Sequence, residues 1–269
     1  MATAEAGGVT QRLVVVTGAS RGVGRAIAEA FVEAGDRVVS VSRSGVGVGN
    51  ALAADLRSPD EIDRVATLIR DSWGDPSVLV NAAGLYGPIC SVADSDPTTW
   101  IDTLSVNLVA AYLTSRAFTP GMISAGWGRI VNLTSAASLH PPSPLNSAYA
   151  TSKVALNHFT RSLATELQGT GVTANVLHPG DLRTDMWRDI DRQAAAAGPA
   201  GEGYRQWARW VEETGGDPPE KAAQAVMRIV SGTTNGVFHW IEEPLQAPIP
   251  SWGDVADERP WTDDAPEPG

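Results

Sequence analysis

The sequence predicts one α/β domain, in which a doubly wound parallel sheet carries helices on both faces. Three observations support this: short apolar runs alternate with helical segments, a glycine-rich turn follows the first run, and polar residues follow several later runs. A chain of 269 residues that is 43% hydrophobic is large enough to bury the core of such a unit. We therefore expect a single Rossmann-type domain over residues 12–244, without an internal repeat.

Strands and helices alternate from the start of the domain. Apolar runs predict strands at residues 13–16, 38–41 and 78–80. Helical periodicity covers residues 25–34, which are followed by a glycine suited to a C-cap, and residues 59–73. Parallel strands joined through helices have their carboxyl ends on one edge of the sheet, where ligands of such folds bind.

The second half of the domain continues the alternation with longer helices. Asn81, Ser135 and the Pro179–Gly180 pair each follow a predicted strand, so they belong to the same sheet edge. The predicted segments are a helix at 97–122, a strand at 129–134, a helix at 148–167, a strand at 173–177, a helix at 219–231 and a strand at 237–241.

The two ends of the chain differ in composition from the domain. Residues 1–11 and 245–269 are rich in Ala, Gly, Pro and acidic residues, which predicts a loose N-terminal arm and a C-terminal tail. The N-terminus lacks the features of a signal peptide, and no apolar run reaches the roughly 18–20 residues that span a bilayer. With Cys90 as the single cysteine, neither an internal disulfide nor a cysteine-rich metal site is expected. We expect a cytoplasmic protein that binds no metal.

The net charge of −11 limits the partners of the chain. A protein that binds nucleic acid needs a basic footprint, and an anionic membrane surface attracts basic segments. We therefore expect neither nucleic acid nor a membrane as a partner, and instead a small-molecule substrate.

A glycine-rich turn separates the first predicted strand from the first predicted helix. Gly18, Gly22 and Gly24 have the spacing G-x-x-x-G-x-G, which lets the backbone approach a pyrophosphate at the positive end of the helix. Ser20 can donate a hydrogen bond to the same group, and Val23 lies within the turn. The alternative is an ordinary tight turn between a strand and a helix.

The end of the second strand indicates which dinucleotide is bound. Sites for NAD often place an acidic residue about 20 positions after the glycines, to hold the ribose 2′-hydroxyl. Here Ser42 and Arg43 stand at this point, and Arg43 can pair with a 2′-phosphate. Arg21 in the glycine turn is a second candidate for the phosphate. We predict NADP(H) rather than NAD(H), the alternative being that both arginines are solvated surface charges.

Tyr149 and Lys153 lie four residues apart in a predicted helix and so share one of its faces. An ammonium beside a phenol favours the phenolate and lowers the pKa of the tyrosine, which suits general acid–base catalysis. The same spacing is also common on ordinary helix surfaces. Ser135 supplies a hydroxyl at the end of the preceding strand, and Ser138 is a rival for that role.

These motifs resemble those of the short-chain dehydrogenase/reductase family, in its order and at its spacings. The likeness extends from about residue 13 to residue 241. The matching pieces are the glycine turn, Asp55 and Leu56, Asn81 to Gly84, Asn107, Ser135, Tyr149 with Lys153, and Pro179 and Gly180 followed by Thr184.

The resemblance implies a catalytic role for four residues. Tyr149 would be the proton donor, Ser135 would orient the substrate carbonyl, and Lys153 would also hold the nicotinamide ribose. Asn107 would support a water that links Lys153 to solvent, with a buried amide that satisfies helix backbone as the alternative. The reaction would be hydride transfer between a nicotinamide and a carbonyl/alcohol pair.

The resemblance also implies the contacts to the dinucleotide. Asp55 would contact the adenine through its carboxylate and Leu56 through its backbone, although Asp55 also suits a cap of the following segment. The nicotinamide would lie among Pro179, Gly180 and Thr184. The adenosine side would be lined by Asn81, Ala82, Ala83 and Gly84.

The substrate side departs from the usual pattern of the family. Three prolines at residues 138–145 predict a stiff loop before the catalytic helix. Asp181 stands where an uncharged residue is expected, and Arg183 is the neighbour expected to neutralise it. By position, residues 185–215 form the substrate lid. The pocket candidates, for which ordinary packing is the alternative, are Leu85, Tyr86, Leu139, His140, Met186 and Trp187.

The sequence thus predicts an NADP(H)-dependent oxidoreductase that interconverts a ketone or aldehyde and an alcohol, as a carbonyl reductase or a secondary alcohol dehydrogenase. A 3-oxoacyl-thioester reductase is the alternative enzyme, but its substrates carry an acidic carrier that a chain of net charge −11 attracts poorly. A non-catalytic regulator that binds NADP(H) is the alternative of another class. By analogy with the family we expect a homodimer or homotetramer.

Overall fold

The computed structural model describes residues 11–242. The predicted C-terminal tail and all but the last residue of the predicted N-terminal arm lie outside the described residues. Within residues 11–242, seven strands form one sheet, and most of their residues are buried. The strands are β1 (Leu13–Thr17), β2 (Arg37–Ser42), β3 (Asn50–Ala53), β4 (Val78–Asn81), β5 (Gly128–Leu133), β6 (Val172–His178) and β7 (Phe238–Trp240).

The sheet order is β3-β2-β1-β4-β5-β6-β7, and every adjacent pair is parallel. The chain starts at the centre with β1 and winds outward to β3. It then returns to the centre at β4 and winds outward to β7. This order confirms the predicted doubly wound fold, and its reversal between β1 and β4 opens a crevice at the carboxyl ends of these two strands.

The helices cover both faces of the sheet. The strand β1 contributes side chains to both faces. Val14 and Val16 pack in one core cluster, against helices on one face, whereas Leu13 and Val15 pack in another cluster, against helices on the opposite face. The α-helices are α1 (Gly22–Glu33), α2 (Pro59–Trp73), α3 (Pro97–Leu104), α4 (Ala110–Ser124), α5 (Ser147–Glu166), α6 (Asp185–Ala196), α7 (Glu202–Thr214) and α8 (Pro219–Ser231).

Several elements of the described residues were not predicted from the sequence. The strand β3 lies at the edge of the sheet with mostly exposed side chains, so it carries little apolar signal. The helices α6 and α7 flank an Ala/Gly-rich connection, and the sequence analysis assigned this whole stretch only as a substrate lid. The long helix predicted at 97–122 is divided into α3 and α4 by a π-helical segment, Ser105–Val109.

Candidate active site

The glycine turn forms a cradle at the start of α1. Gly18 and Gly22 have φ of 70° and 55°, which favours glycine. A Cβ at Gly24 would lie 2.4 Å from the carbonyl oxygen of Gly18, and one at Gly18 would lie 2.6 Å from Cα of Ala83. No side chain caps α1, so its first N–H groups remain available to an anion. The cradle therefore fits the pyrophosphate of a dinucleotide.

The carboxylate of Asp55 lies at the predicted adenine end of the cavity, where Leu56 also lines the wall. It accepts hydrogen bonds from the backbone N–H and guanidinium of Arg57 at 3.0 Å. The side-chain hydrogen bond from Arg57 lowers the pKa of Asp55 to about 2, so the group is ionised at neutral pH. Asp55 does not cap α2, because that cap is the hydroxyl of Ser58.

The two arginines predicted to bind a 2′-phosphate differ in their partners. Arg43 lines the cavity with Ser42, and its charge contributes to the lowered pKa of Asp55. Arg43 has no hydrogen-bond or ion-pair partner among residues 11–242. The guanidinium of Arg21 instead donates to Asp185 of α6 at 2.8 Å. Arg43 is thus the better placed of the two to meet a phosphate.

Asn81 does not line the cavity, contrary to the prediction. Its Nδ2 donates to Oδ1 of Asn132 at 2.8 Å, and its Oδ1 accepts from Thr114 at 2.8 Å. The side chain is buried between β4, β5 and α4 because its polar atoms are satisfied there. The residues after β4 that line the cavity are Ala82, Ala83 and Gly84.

Asn107 lies in the π-helical segment and is buried. Its Oδ1 accepts from the backbone N–H of Leu85 at 2.8 Å, and its Nδ2 donates to the Leu85 carbonyl at 2.8 Å and to Ser152 at 2.9 Å. Both N–H donors of the amide are therefore used. The side chain fixes the chain after β4 against α5, and the predicted water contact stays a prediction.

The hydroxyl of Ser135 and the phenol of Tyr149 form a hydrogen bond. Ser135 follows β5 at the start of a short 3₁₀ turn, where its Oγ also accepts from the backbone N–H of Ala137 at 3.2 Å. Ser138 is buried, donates to the Ser135 carbonyl and accepts from Asn157 at 2.8 Å. Ser138 is therefore occupied in the core, and the partner of Tyr149 is Ser135.

The ammonium of Lys153 lies 5.7 Å from the centre of the Tyr149 ring and donates to the Leu133 carbonyl at 2.7 Å. Burial lowers the pKa of Lys153 to about 8. Burial also raises the pKa of Tyr149, while the hydrogen bond with Ser135 lowers it and the charge of Asp181 raises it. The predicted lowering of the tyrosine pKa is thus wrong for this structure, because desolvation of the phenolate dominates. Tyr149 is a protonated donor at neutral pH.

The loop after β6 closes the nicotinamide end of the cavity with Pro179, Gly180 and Thr184. Gly180 has φ of 90°, and a Cβ there would lie 2.2 Å from Cδ1 of Ile241. The methyl group of Thr184 lies 3.5 Å from the position that a Cβ would take at Gly22. The glycine turn and this loop therefore meet, which brings the two halves of the predicted dinucleotide site together.

Aromatic side chains surround the catalytic tyrosine at the substrate end. The ring of Tyr86 stacks on that of Tyr149 with centroids 4.5 Å apart, and Tyr204 of α7 meets Tyr86 edge-on at 6.4 Å. The hydroxyl of Tyr204 donates to the carbonyl of Pro144 in the proline-rich loop. The helix α7 thus contacts both the loop before α5 and the ring beside Tyr149.

Five of the six pocket candidates line the cavity, namely Leu85, Tyr86, His140, Met186 and Trp187. The sixth, Leu139, is only 2% exposed and packs with Val176 and Phe238, so its prediction was wrong. The apolar side chain of Leu139 points into the core because it packs there against β6 and β7. Four aromatic residues that line the cavity were not predicted as pocket residues. Tyr204, Trp207 and Trp210 lie in the lid, where the density of aromatic residues was a signal, and Trp240 lies in β7.

Asp181 is not neutralised by Arg183, contrary to expectation. Arg183 donates to Glu212 at 3.1 Å and lies over the Trp187 ring at 5.5 Å. The carboxylate of Asp181 accepts from the indole N–H of Trp207 at 3.1 Å instead. Burial raises the pKa of Asp181, and the hydrogen bond from Trp207 partly opposes this effect.

The glycine turn, Ser135, Tyr149 and Lys153 line one continuous cavity of about 1580 Å³. The cavity includes the glycine turn, Ser135 and Tyr149, and the aromatic residues of α7. Such a volume exceeds the roughly 300–1,000 Å³ of common small-molecule sites, as expected where a dinucleotide and a substrate share one cleft.

Within residues 11–242, no group of three or more His, Cys, Asp or Glu is arranged to hold a metal ion, and no helix is long and apolar enough to cross a membrane.

A family model described as short chain dehydrogenase matches residues 12–195, which cover the glycine turn and the Ser135, Tyr149 and Lys153 site. The chain belongs to the short-chain dehydrogenase family. This membership confirms the predicted resemblance and shows that the protein is an oxidoreductase of that family.

Relatives and solved structures agree with this assignment. The 3-oxoacyl-(acyl-carrier-protein) reductase FabG of Vibrio harveyi is 34% identical over 196 residues, which are 69% of this chain and 80% of that protein. The ligand-free aldohexose dehydrogenase of Thermoplasma acidophilum is similar with a TM-score of 0.73 at 27% identity, over 88% of this chain and 97% of that one. A metagenomic short-chain oxidoreductase in complex with NADP gives a TM-score of 0.66 at 29% identity, over 85% and 96%.

Proposed function

We propose that the protein is an NADP(H)-dependent oxidoreductase that interconverts a ketone and a secondary alcohol. The observation that carries the proposal is the arrangement of three residues at the cavity wall. Tyr149 is hydrogen-bonded to Ser135, and the buried ammonium of Lys153 lies 5.7 Å from its ring. A protonated phenol beside a second hydroxyl suits a carbonyl oxygen that gains negative charge.

The protein's part in the reaction follows from these groups. A bound nicotinamide dinucleotide supplies the hydride for carbonyl reduction and accepts it in the reverse direction. In reduction, the hydroxyls of Ser135 and Tyr149 donate hydrogen bonds to the carbonyl oxygen, and the proton of Tyr149 completes the alcohol. The ammonium of Lys153 stabilises the phenolate that remains, because an opposite charge nearby favours the ionised form. Alcohol oxidation reverses the proton transfer.

The preference for NADP(H) rests on Arg43. This guanidinium lines the cavity without an ion-pair partner in the described part of the chain, and no acidic residue follows β2 to accept a ribose hydroxyl. The related structure that holds NADP is consistent with the same choice. We expect kcat/KM to be at least about tenfold higher with NADPH than with NADH. A tenfold ratio corresponds to about 1.4 kcal/mol, which one charge-assisted hydrogen bond to a phosphate can supply. An equal or reversed preference would contradict the role of Arg43.

The reaction is tested with a panel of neutral ketones under saturating NADPH, followed at the absorbance of the reduced nicotinamide. We expect turnover of medium-sized ketones, and a loss of at least about 100-fold in kcat for Tyr149→Phe, which keeps the ring and removes the proton. Binding of NADPH, measured by fluorescence, serves as the folding control for this variant. Near-normal turnover by the phenylalanine variant would refute the mechanism.

A 3-oxoacyl-thioester reductase is the second candidate, because a relative with that printed name is 34% identical. The net charge of −11 disfavours an acidic carrier at the cavity mouth. Adding acetoacetyl-CoA to the panel decides between the two. A kcat/KM for the thioester well above that of every simple ketone would favour the second candidate.

We also propose that the protein forms a homo-oligomer through α3 to α5. These helices expose large apolar side chains that a monomer would leave in water, namely Ile101, Tyr112 and Val154 at 58%, 46% and 50% exposure. Tyr112 packs edge-on against Phe159, so α4 and α5 present one adjoining surface. Light scattering of the purified chain should give a dimer or tetramer, and replacing Tyr112 and Val154 by charged residues should reduce the assembly to monomers.

A further inference from the structure

The substrate end of the cavity contains a carboxylate that forms no ion pair with any arginine or lysine of residues 11–242. Asp181 lines the cavity, and one of its oxygens accepts from the indole N–H of Trp207 at 3.1 Å. Its other oxygen accepts no hydrogen bond from any of residues 11–242. A partly buried carboxylate of this kind is costly to keep ionised, so a ligand that satisfies it gains affinity.

The cations around Asp181 are each engaged by another acid. Arg183 donates to Glu212 at 3.1 Å, and Lys221 forms an ion pair with Asp217 at 3.2 Å. Asp217 itself accepts from the backbone N–H of Asp181 at 3.0 Å, and its charge raises the pKa of Asp181 further. The surroundings therefore disfavour an anionic ligand and favour a positive one.

His140 is the remaining titratable group that acts on Asp181, and its charge lowers the pKa of that carboxyl. It also lines the cavity, and its Nδ1 is buried without a hydrogen-bond partner among the described residues. Lys153 is held by the Leu133 carbonyl at 2.7 Å, with its ammonium 5.7 Å from the centre of the Tyr149 ring. Neither group forms an ion pair with Asp181 within residues 11–242.

Several aromatic rings line the same cavity as Asp181. Aromatic faces attract cations through the ring quadrupole, and the attraction is larger where water is excluded. A cavity that combines a carboxylate with such faces is suited to protonated or quaternary amines. The rings that line the cavity here belong to Tyr86, Trp187, Tyr204, Trp207 and Trp240.

The carboxylate lies within electrostatic reach of the proton donor, because the charge of Asp181 raises the pKa of Tyr149. We propose that the preferred substrates are ketones, or the corresponding alcohols, that carry an ammonium group, with the carbonyl at Ser135 and Tyr149 and the ammonium at Asp181. This inference rests on the proposed function and names the substrate class of the same site. The ammonium group takes no part in the reaction, in which one C–H and one O–H bond form at the carbonyl.

Matched ketones test the inference. In one series, phenyl ketones carry a dimethylammonium group two to four carbons from the carbonyl; in the other, an isopropyl group replaces it without charge. The quantity measured is the ratio of kcat/KM for the charged ketone to that for the neutral one, at pH 7 with saturating NADPH. A ratio cancels any general effect of a substitution on proton transfer.

We expect the wild-type ratio to exceed about 10 at the best chain length, as a desolvated ion pair with aromatic contacts allows. Asp181→Asn, which keeps the size and the acceptor for Trp207, should lower the ratio at least about tenfold. Asp181→Glu should restore part of it. Glu213→Gln removes an exposed acid of α7 that takes no part in the ion pairs around Asp181, and it should leave the ratio unchanged. Thermal unfolding of each variant checks that it folds.

Binding without turnover separates the two proposals. Quenching of tryptophan fluorescence measures the affinity of both ketone series for the full chain, because Trp207 adjoins Asp181. If both ketones turn over and the ratio does not depend on Asp181, this inference is overturned and the proposed function stands. If neither turns over but the charged ketone binds in an Asp181-dependent manner, the cation site stands and the proposed function fails. If no preference for the charged series is found by either readout, the inference fails.

Discussion

Replacing the buried lysine should stabilise the protein while it destroys the activity. Lys153 is 4% exposed, and burial lowers its pKa from 10.5 to about 8. That difference corresponds to about 3 kcal/mol of folding stability lost at neutral pH, at about 1.4 kcal/mol per pH unit. Lys153→Met removes this cost but leaves the Leu133 carbonyl without its donor, which costs about 1–2 kcal/mol. We therefore expect a net gain of about 1–2 kcal/mol at pH 7.

The pH dependence of this gain gives the sharper test. Because the folded-state pKa lies below the unfolded value, the unfolded chain binds more protons between about pH 8 and 10.5. The wild type therefore gains stability from this group as pH rises through that window, and the methionine variant does not. Urea unfolding at pH 7, 8, 9 and 10 should show the advantage of the variant shrinking and then reversing.

Lys221 provides the matched control, since it is the other lysine of the chain. Its hydrogen bonds to Glu242 and Asp217 raise its pKa, so it stays protonated across the same window. Lys221→Met should therefore show a difference from the wild type that is nearly constant from pH 7 to 10. A constant difference for Lys153→Met as well would refute the idea that desolvation of this ammonium dominates.

Three further predictions follow from the cofactor cradle and the serine pair. Arg43→Ser should lower kcat/KM with NADPH at least about tenfold and change that with NADH little, as steady-state kinetics would show; equal losses would argue against a phosphate contact. Ser135→Ala should lower kcat at least about 100-fold, whereas Ser138→Ala should mainly lower the urea midpoint by removing a buried hydrogen bond. Gly24→Ala should raise the KM for NADPH and lower the unfolding temperature, because its Cβ would lie 2.4 Å from the carbonyl oxygen of Gly18; normal values would show that the turn relaxes freely.

The parts of the fold that the sequence predicted well are those with strong local signals. The helices α2 and α8 have the predicted bounds because Pro59 and Pro219 mark their first turns. The strand β3 was missed because an exposed edge strand has little apolar pattern. The π-helical segment at Ser105–Val109 has no known periodicity signal in the sequence, although it holds Asn107.

Within the site, the sequence predicted residues that act through backbone geometry and motif spacing, but not those whose partners are distant. Asp181 shows the limit: Arg183 is its neighbour in sequence, yet its hydrogen-bond partner is Trp207, 26 residues away. Asn81 was placed at the cavity because it follows β4, whereas Asn132 and Thr114 hold it in the core. Burial decided these outcomes, and burial depends on the whole fold.

Two charges act on Tyr149, and together they link substrate choice to proton transfer. Lys153 stabilises the phenolate that forms when the proton leaves, whereas the charge of Asp181 raises the pKa of the phenol. In the proposed complex, a substrate ammonium offsets the charge of Asp181 and removes that opposing effect. The phenol then becomes a stronger acid when an ammonium ketone occupies the cavity than when a neutral ketone does. Binding of the ammonium at Asp181 would thus raise kcat as well as lower KM, because the proton leaves Tyr149 more easily in the transition state.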